Sequence, residues 1–152
     1  MKLYLVQHGN AVSEQEDPAR PLSQQGREDV EKVASFIKPL DLAVELWHSG
    51  KARAAETAEI LSHSLKLSND VHEHSGLSPN DDVEEIAAAV MASGDDVMIV
   101  GHLPFLGKLA SLLVVPKESA NIIDFKQGGI VCLSCSEEGT WQVSWMVTPE
   151  IL

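Results

Sequence analysis

The sequence predicts an α/β fold, a three-layer α/β/α sandwich around a mostly parallel central sheet. Short apolar runs typical of strands alternate with longer segments of helical periodicity as far as residue 114. Alternating strands and helices favour parallel pairing, with helices on both faces of the sheet. A chain of 152 residues is long enough to bury the core of one such domain, so we expect residues 1–152 to form a single domain.

The predicted elements follow one another without an internal repeat or a linker. In chain order they are a buried strand at 2–7, a loop at 10–22, a helix that starts after Ser23 and ends at Pro39, a strand at 43–47, a helix at about 51–65, a polar segment at 69–82, a short helix at 83–91, a strand at 96–100, a helix at 105–114, and two strands at about 129–135 and 141–147. The last two strands flank the turn Glu137-Glu138-Gly139, and we expect them to form a hairpin at one edge of the sheet.

Local signals set the limits of the helices. Ser23 is a typical N-cap, because its side-chain oxygen can accept a hydrogen bond from the first helical turn. The apolar residues that follow it at helical spacing are Val30, Val33, Ala34 and Ile37. Pro39 ends this helix, because proline disfavours helical backbone in the residue before it. Pro104 suits the first turn of a helix, where its missing N–H has no helical partner to lose.

The acidic composition limits the classes of partner. The chain has 11 basic and 23 acidic residues and a net charge of -12. The electric field of this negative charge repels phosphate backbones and anionic lipids, so we expect neither nucleic acid nor a membrane as a partner. No apolar run approaches the roughly 20 residues that span a bilayer, and the chain starts with a strand rather than a signal sequence. We therefore expect a cytoplasmic protein, in which any phosphate site is built locally.

Cys132 and Cys135 form a Cys-x-x-Cys motif, a pattern found in redox and zinc sites. The surrounding residues, 129–135, are predicted to form a strand, and residues three apart on a strand point to opposite faces. We expect the two sulfurs to diverge and to remain reduced thiols in or near the core.

Two histidines directly follow predicted strands. His8 follows the run that ends at Gln7, and His102 follows the run that ends at Gly101. In an open parallel sheet the carboxyl ends of the strands form the crevice where ligands bind. Histidine can act there as a nucleophile, an acid or a base near neutral pH. The two residues are candidates for one shared site, and a purely structural role for each is the alternative.

A third strand end adds a cation to the two histidines. The strand at 43–47 leads through His48-Ser49-Gly50 into a helix that has Arg53 in its first turn. A helix N-terminus favours an anion, and the planar arginine fork matches phosphate oxygens. Two imidazoles, one guanidinium and two helix N-termini together suit phosphoryl transfer. The alternative for Arg53 is an ion pair with a neighbouring acid such as Glu56.

Four short motifs, in this order and spacing, point to a known family. They are Gln7-His8-Gly9, then Arg20-Pro21-Leu22-Ser23 with Gly26, then Ser49 to Thr57 with Arg53, and finally Gly101-His102-Leu103-Pro104. The chain resembles the histidine phosphatase superfamily over nearly its whole length. Its compact size is most similar to the SixA-type phosphohistidine phosphatases. The resemblance implies the histidine phosphatase (phosphoglycerate mutase-like) fold.

The resemblance also implies a covalent mechanism without a metal or another cofactor. His8 would attack phosphorus and become phosphohistidine, and water would then release inorganic phosphate. Arg53 and His102 would hold the phosphoryl oxygens and stabilise charge in the transition state. The further residues expected in the substrate site are Gln7, Gly9, Asn10, Arg20, Ser49 and Leu103. The alternatives are a helix cap for Ser49 and a turn position for Asn10.

One position departs from the family pattern. The pattern begins Arg-His-Gly, whereas this chain has Gln7. Loss of a charge-assisted contact to phosphate costs on the order of 1.5–3 kcal/mol, or roughly ten- to a hundredfold in rate if the contact acts in the transition state. We therefore expect weakened activity rather than none. Arg20 and Lys51 are candidates for a substitute cation, and both are equally compatible with ordinary surface charges.

Three functions are compatible with the sequence. The leading hypothesis is a monomeric phosphatase that acts on phosphohistidine in a signalling protein. The second is a module that binds a phosphoryl group without turning it over, and Gln7 is its main support. The third is a phosphatase for a small phosphate ester, which needs a proton for its alkoxide leaving group. The acid candidates are Asp81 and Asp82, a pair of the kind that is usually solvated.

Overall fold

The computed structural model describes residues 1–115 and 121–152. The strands are β1 (Lys2–Gln7), β2 (Ala43–His48), β3 (Lys66–Leu67), β4 (His72–Glu73), β5 (Val97–Gly101), β6 (Ile130–Cys135) and β7 (Trp141–Val147). The helices are α1 (Gln24–Ile37), α2 (Ala52–Ser62), α3 (Val83–Ser93) and α4 (Phe105–Val114), with short 3-10 turns at Lys38–Leu40 and Pro149–Ile151. None of the helices in these two ranges is both long and apolar enough to cross a membrane.

In the described part of the chain, seven strands form one sheet with helices on both faces. The strand order is β3-β2-β5-β1-β6-β7, and β4 also pairs with β2. The strands β1 to β5 all pair in parallel, whereas β6 pairs antiparallel with β1 and β7 antiparallel with β6. This arrangement confirms the predicted three-layer sandwich, its mostly parallel sheet and its hairpin at one edge.

Each face of the sheet covers its own apolar core. Alternate residues of a strand point to opposite faces. Leu3 and Leu5 of β1 accordingly pack with α3 and α4, while Tyr4 and Val6 pack with α1 and α2. All four side chains are at most 2% exposed. The apolar sequence of β1 is therefore explained by a strand that is covered on both faces.

The two cysteines diverge as the strand prediction requires. Cys132 packs in the core beneath α1 and α2, and Cys135 packs against the opposite core. Both are free thiols.

Two parts of the chain differ from the prediction. The helix predicted at about 51–65 ends at Ser62, because the chain then turns so that Lys66 can pair with Ala43 and form β3. The polar segment at 69–82 contains the short strand β4. Strands of two residues carry no alternating pattern, so only their pairing with β2 defines them.

The start of α1 is held against the loop that follows β1. Ser23 is the N-cap, as predicted, since its hydroxyl accepts the N–H of Gly26 at 3.0 Å and donates to Oδ1 of Asn10 at 2.7 Å. A Cβ atom on Gly26 would lie only 2.1 Å from the Asn10 carbonyl oxygen. Glycine at position 26 therefore allows α1 to contact the backbone of the turn that carries His8.

We expect Gly26→Ala to lower the free energy of unfolding by about 2 kcal/mol or more, because the new methyl group must displace a backbone carbonyl. Gln25→Ala, at the exposed neighbouring position, is the control and should stay within about 0.5 kcal/mol of the wild type. Urea unfolding followed by circular dichroism measures both variants. Equal stability of the two would contradict the close backbone contact.

Candidate active site

Three neighbouring parallel strands end side by side at one edge of the sheet. In the order β2-β5-β1, Gln7 lies opposite Gly101, and Ser49 directly follows β2. The N–H of His8 donates to the Gly101 carbonyl oxygen at 3.1 Å. The ring centroids of His8 and His102 are 5.0 Å apart, at an interplanar angle of 52°. The structure therefore brings together the two histidines that the sequence placed at strand ends.

His8 presents one ring nitrogen for chemistry. Its Nδ1 lies 2.7 Å from the carbonyl oxygen of Gly9, and because a carbonyl can only accept, this nitrogen carries the proton. The lone pair of Nε2 is then available for attack. Burial lowers the pKa of His8, and the charges of Arg53 and Arg20 lower it further, although the bond to Gly9 acts in the opposite direction. The ring therefore favours its neutral, nucleophilic form.

His102 is almost completely enclosed, with 2% of its surface exposed. Its Nε2 lies 2.6 Å from the hydroxyl oxygen of Ser49, whereas its Nδ1 is buried and has no hydrogen-bond partner in the described part of the chain. Burial lowers the pKa of His102 to about 3, and the charges of His8, Arg53 and Lys51 contribute to that shift. This imidazole is neutral at physiological pH and keeps one unpaired polar atom in a ring that contacts His8.

Among the described residues, no carboxylate forms an ion pair with Arg53. Arg53 is the second residue of α2, and its buried Nε has no partner within residues 1–115 and 121–152. The ion pair with Glu56 that the sequence left open does not form, because Glu56 pairs with Arg27 and accepts the N–H of Leu22 at 2.8 Å. Burial and the charge of Arg20 lower the pKa of Arg53. A bound anion would stabilise this guanidinium.

Thr57 connects the turn that carries His8 to the helix that carries Arg53. Its fully buried hydroxyl accepts the N–H of Gly9 at 3.0 Å and donates to the carbonyl oxygen of Arg53 at 2.7 Å. In the sequence, Thr57 stands out only as the last residue of the motif Ser49 to Thr57. Threonine often bonds to the carbonyl four residues earlier in a helix, so the pattern gives no signal of the second, distant partner.

Comparison with known proteins identifies the family. Residues 3–78 match the model of the histidine phosphatase superfamily (branch 1). This chain belongs to the histidine phosphatase superfamily. No curated protein matches the chain in a sequence search.

Several solved structures share the fold over almost the whole chain. The protein histidine phosphatase SixA, solved with tungstate, superposes with a TM-score of 0.86 at 24% identity and covers 99% of both chains. A Nakamurella multipartitia protein, provisionally named phosphohistidine phosphatase SixA, gives 0.77 at 22% identity and covers 97% of this chain and 95% of its own. A phosphoserine phosphatase from Entamoeba histolytica, solved with 3-phosphoglyceric acid, gives 0.75 at 16% identity and covers 99% of both. These likenesses confirm the predicted histidine phosphatase fold.

In this member of the histidine phosphatase superfamily, Arg20 lies near the residues expected to hold phosphate. Its Nε donates to the carbonyl oxygen of Val12 at 3.1 Å, and its backbone has a φ of 49°, which is uncommon for a residue other than glycine. The charge of Arg20 lowers the pKa of both His8 and Arg53. Arg20 is therefore close enough to act on both residues, and its contact with phosphate stays a prediction.

The remaining predicted site residues occupy different environments. The Oε1 atom of Gln7 is buried and has no hydrogen-bond partner among the described residues, and Leu103 is 42% exposed at the start of the loop after β5. The side chain of Asn10 accepts from Ser23 at 2.7 Å and donates to Gln127 at 3.2 Å. Asn10 thus joins its loop to α1 and to the segment before β6, and its contact with substrate stays a prediction.

The two acid candidates form local hydrogen bonds in the loop before α3. Oδ2 of Asp81 accepts the N–H of Ser78 at 2.9 Å, and Oδ1 of Asp82 accepts the N–H of Glu84 at 2.9 Å as the N-cap of α3. Both residues are exposed. The carboxylates therefore hold the loop and the start of the helix.

The lowered pKa of His102 makes stability sensitive to acid. Its ordinary pKa of 6.5 applies in the unfolded chain, whereas the folded residue stays neutral down to about pH 3. Between these values the unfolded state binds more protons, so the free energy of unfolding rises with pH. On acidification this histidine removes at most about 1.4 kcal/mol per pH unit.

We expect the wild type to lose more stability than His102→Asn between about pH 6.5 and about pH 4.5, because the variant lacks this proton linkage. Urea titrations of both proteins at the two pH values measure the difference. Both proteins contain the same carboxylates, so the contribution of these groups to the loss of stability cancels in the comparison. An equal loss in the two proteins would show that His102 titrates normally.

Proposed function

We propose that this chain is a metal-independent phosphatase that removes the phosphoryl group from a phosphohistidine of a partner protein, through a covalent intermediate on His8. Membership of the superfamily supports the phosphatase class. Two observations support the mechanism. The Nε2 lone pair of His8 is available, and the charge of Arg53 acts on this ring. No described residue forms an ion pair with Arg53. The phosphohistidine substrate is the finer part of the proposal and rests on leaving-group chemistry.

In the first step the Nε2 lone pair of His8 forms a bond to phosphorus. The substrate ring takes a proton from solvent on the nitrogen that is not bonded to phosphorus. The P–N bond to that ring then breaks, and the electron pair stays on the ring, which leaves as a neutral imidazole. Arg53 and the neutral His102 bind the phosphoryl oxygens and stabilise the charge that is spread over them in the transition state.

In the second step water forms a bond to phosphorus while the P–N bond to His8 breaks. The electron pair returns to Nε2, and a proton of the water passes to solvent. Inorganic phosphate leaves, and the neutral imidazole is restored. The Nδ1–H bond to Gly9 keeps the ring in one orientation for both steps.

An imidazole leaving group suits a site in which the candidate proton donors, Asp81 and Asp82, already form hydrogen bonds with other groups. Its conjugate acid has a pKa of about 6.5, so the ring leaves near neutral pH with little help. An alkoxide needs a positioned proton donor, and the carboxylates of Asp81 and Asp82 accept hydrogen bonds from their own loop and helix. This combination favours a phosphoramidate over a phosphate ester.

The exposed side chain of Leu103, directly after His102, offers an apolar contact for the surface of a protein substrate. A phosphohistidine-containing signalling domain is the partner class that we propose. The cytoplasmic location and the monomeric state remain predictions from the sequence.

We expect His8→Ala to lower phosphate release from a phosphohistidine peptide by at least about a thousandfold, because the covalent route loses its nucleophile. The assay contains a chelator, so that turnover by the wild type also tests metal independence. Rapid quenching at alkaline pH should trap a phosphorylated wild-type protein and none of the variant.

His63→Ala is the matched control, since this imidazole is 75% exposed at the end of α2 and should not affect the rate. Phosphoserine and a small aryl phosphate are the competing substrates. Faster turnover of these esters than of the peptide would reject the phosphohistidine substrate while retaining the phosphatase.

We also propose that Arg20 supplies the charge that Gln7 lacks. Arg20→Gln should then lower kcat/KM by roughly ten- to a hundredfold, as expected for a lost charge-assisted contact. Adding Gln7→Arg to that variant should restore most of the rate, because the two positions serve one phosphoryl group. Lys32→Gln, which removes an exposed cation from α1, is the control for the change in net charge.

Equal rates for Arg20→Gln and Lys32→Gln would make Arg20 an ordinary surface charge. The single variant Gln7→Arg tests the alternative function. An inactive wild type that becomes active with this substitution would be a phosphoryl-binding module rather than an enzyme.

A further inference from the structure

We infer that Ser49 positions His102 by donating its hydroxyl proton to Nε2, which leaves the ring proton on Nδ1 to bind a phosphoryl oxygen. The inference rests on the proposed phosphatase site and changes the expected role of Ser49. The sequence placed this serine in direct contact with substrate, whereas the geometry gives it an effect through the histidine.

The direction of the hydrogen bond follows from the groups around the hydroxyl. Oγ of Ser49 lies 2.6 Å from Nε2 of His102, and the backbone N–H of Lys51 points at the same oxygen at 3.4 Å. A backbone N–H can only donate, so the oxygen accepts from Lys51, and its own proton remains available for donation to the ring nitrogen. The reverse direction would leave the serine proton without an acceptor among the hydrogen bonds of the described residues.

The tautomer of His102 follows from this direction. A neutral imidazole carries one proton, so an Nε2 that accepts requires an Nδ1 that is protonated. This Nδ1 is buried and lacks a partner within the described ranges. An unbonded buried donor is unfavourable, and a phosphoryl oxygen in the site would satisfy it. The opposite tautomer would present a lone pair to that oxygen and repel it.

Both histidines thus carry their ring proton on Nδ1, but this proton has a different role in each. In His8, Nδ1–H donates to Gly9 and leaves Nε2 for attack. In His102, Nε2 accepts from Ser49 and leaves Nδ1–H for binding. Because burial keeps His102 neutral, either ring nitrogen can carry the single proton. The hydrogen bond from Ser49 to Nε2 places that proton on Nδ1.

Nuclear magnetic resonance of ¹⁵N-labelled histidine reports the tautomer directly, with His102→Asn used to assign the signals. We expect Nδ1–H on His102 in the wild type and in Ser49→Thr, which keeps the hydroxyl. Ser49→Ala should show a mixture of tautomers, and its affinity for inorganic phosphate, measured by titration calorimetry, should fall about tenfold. Ser62→Ala removes a hydroxyl that donates to the Glu59 carbonyl oxygen at the other end of α2 and should change neither quantity.

A wild-type His102 protonated on Nε2 would overturn the inference, whether or not the protein hydrolyses phosphohistidine. An unchanged tautomer and phosphate affinity in Ser49→Ala would overturn it as well. If that variant fails to fold, the wild type and Ser49→Thr still decide the tautomer. The expected tautomer and affinities in a protein without phosphatase activity would support the role of Ser49 and reject the proposed function.

Discussion

The parallel register between β1 and β5 is the constraint on which the candidate site depends. Gln7 lies opposite Gly101, and the next N–H along the chain, that of His8, donates to the carbonyl oxygen of Gly101. This pairing brings His8 beside His102, although the two are far apart in sequence. A shift of one residue would exchange the faces of every side chain in β1. It would move apolar residues between the two cores and separate the two imidazoles, so packing and chemistry require the same register.

Burial and charge then determine what these side chains can do. Both imidazoles have lowered pKa values, mainly because burial disfavours their charged forms. The net charge is -12, yet no described carboxylate pairs with Arg53, since the nearby Glu56 is engaged by Arg27 and Leu22. An acidic protein can therefore contain a local site for an anion, built from a few cations and neutral donors.

Hydroxyl groups connect the helices to the turns that carry the site. Thr57 joins α2 to Gly9, Ser23 joins α1 to Asn10, and Ser49 joins the end of β2 to His102. Each bond links two segments that are separate along the chain. The side chains of His8, Arg53 and His102 are thereby held relative to one another, as the proposed stabilisation of a transition state requires.

By itself the sequence determined the alternation of strands and helices, the cap at Ser23, the strand ends that carry His8 and His102, and the helix start that carries Arg53. These features depend on local periodicity and on the chemistry of single side chains. The sequence did not reveal β3 and β4, the second bond of Thr57, the partner of Glu56 or the orientation of Ser49. Those features are contacts between residues distant in the chain, such as Ser49 and His102, which are 53 positions apart. Only the tertiary structure decided them, because hydrogen-bond direction and burial arise when the strand ends and helices pack together.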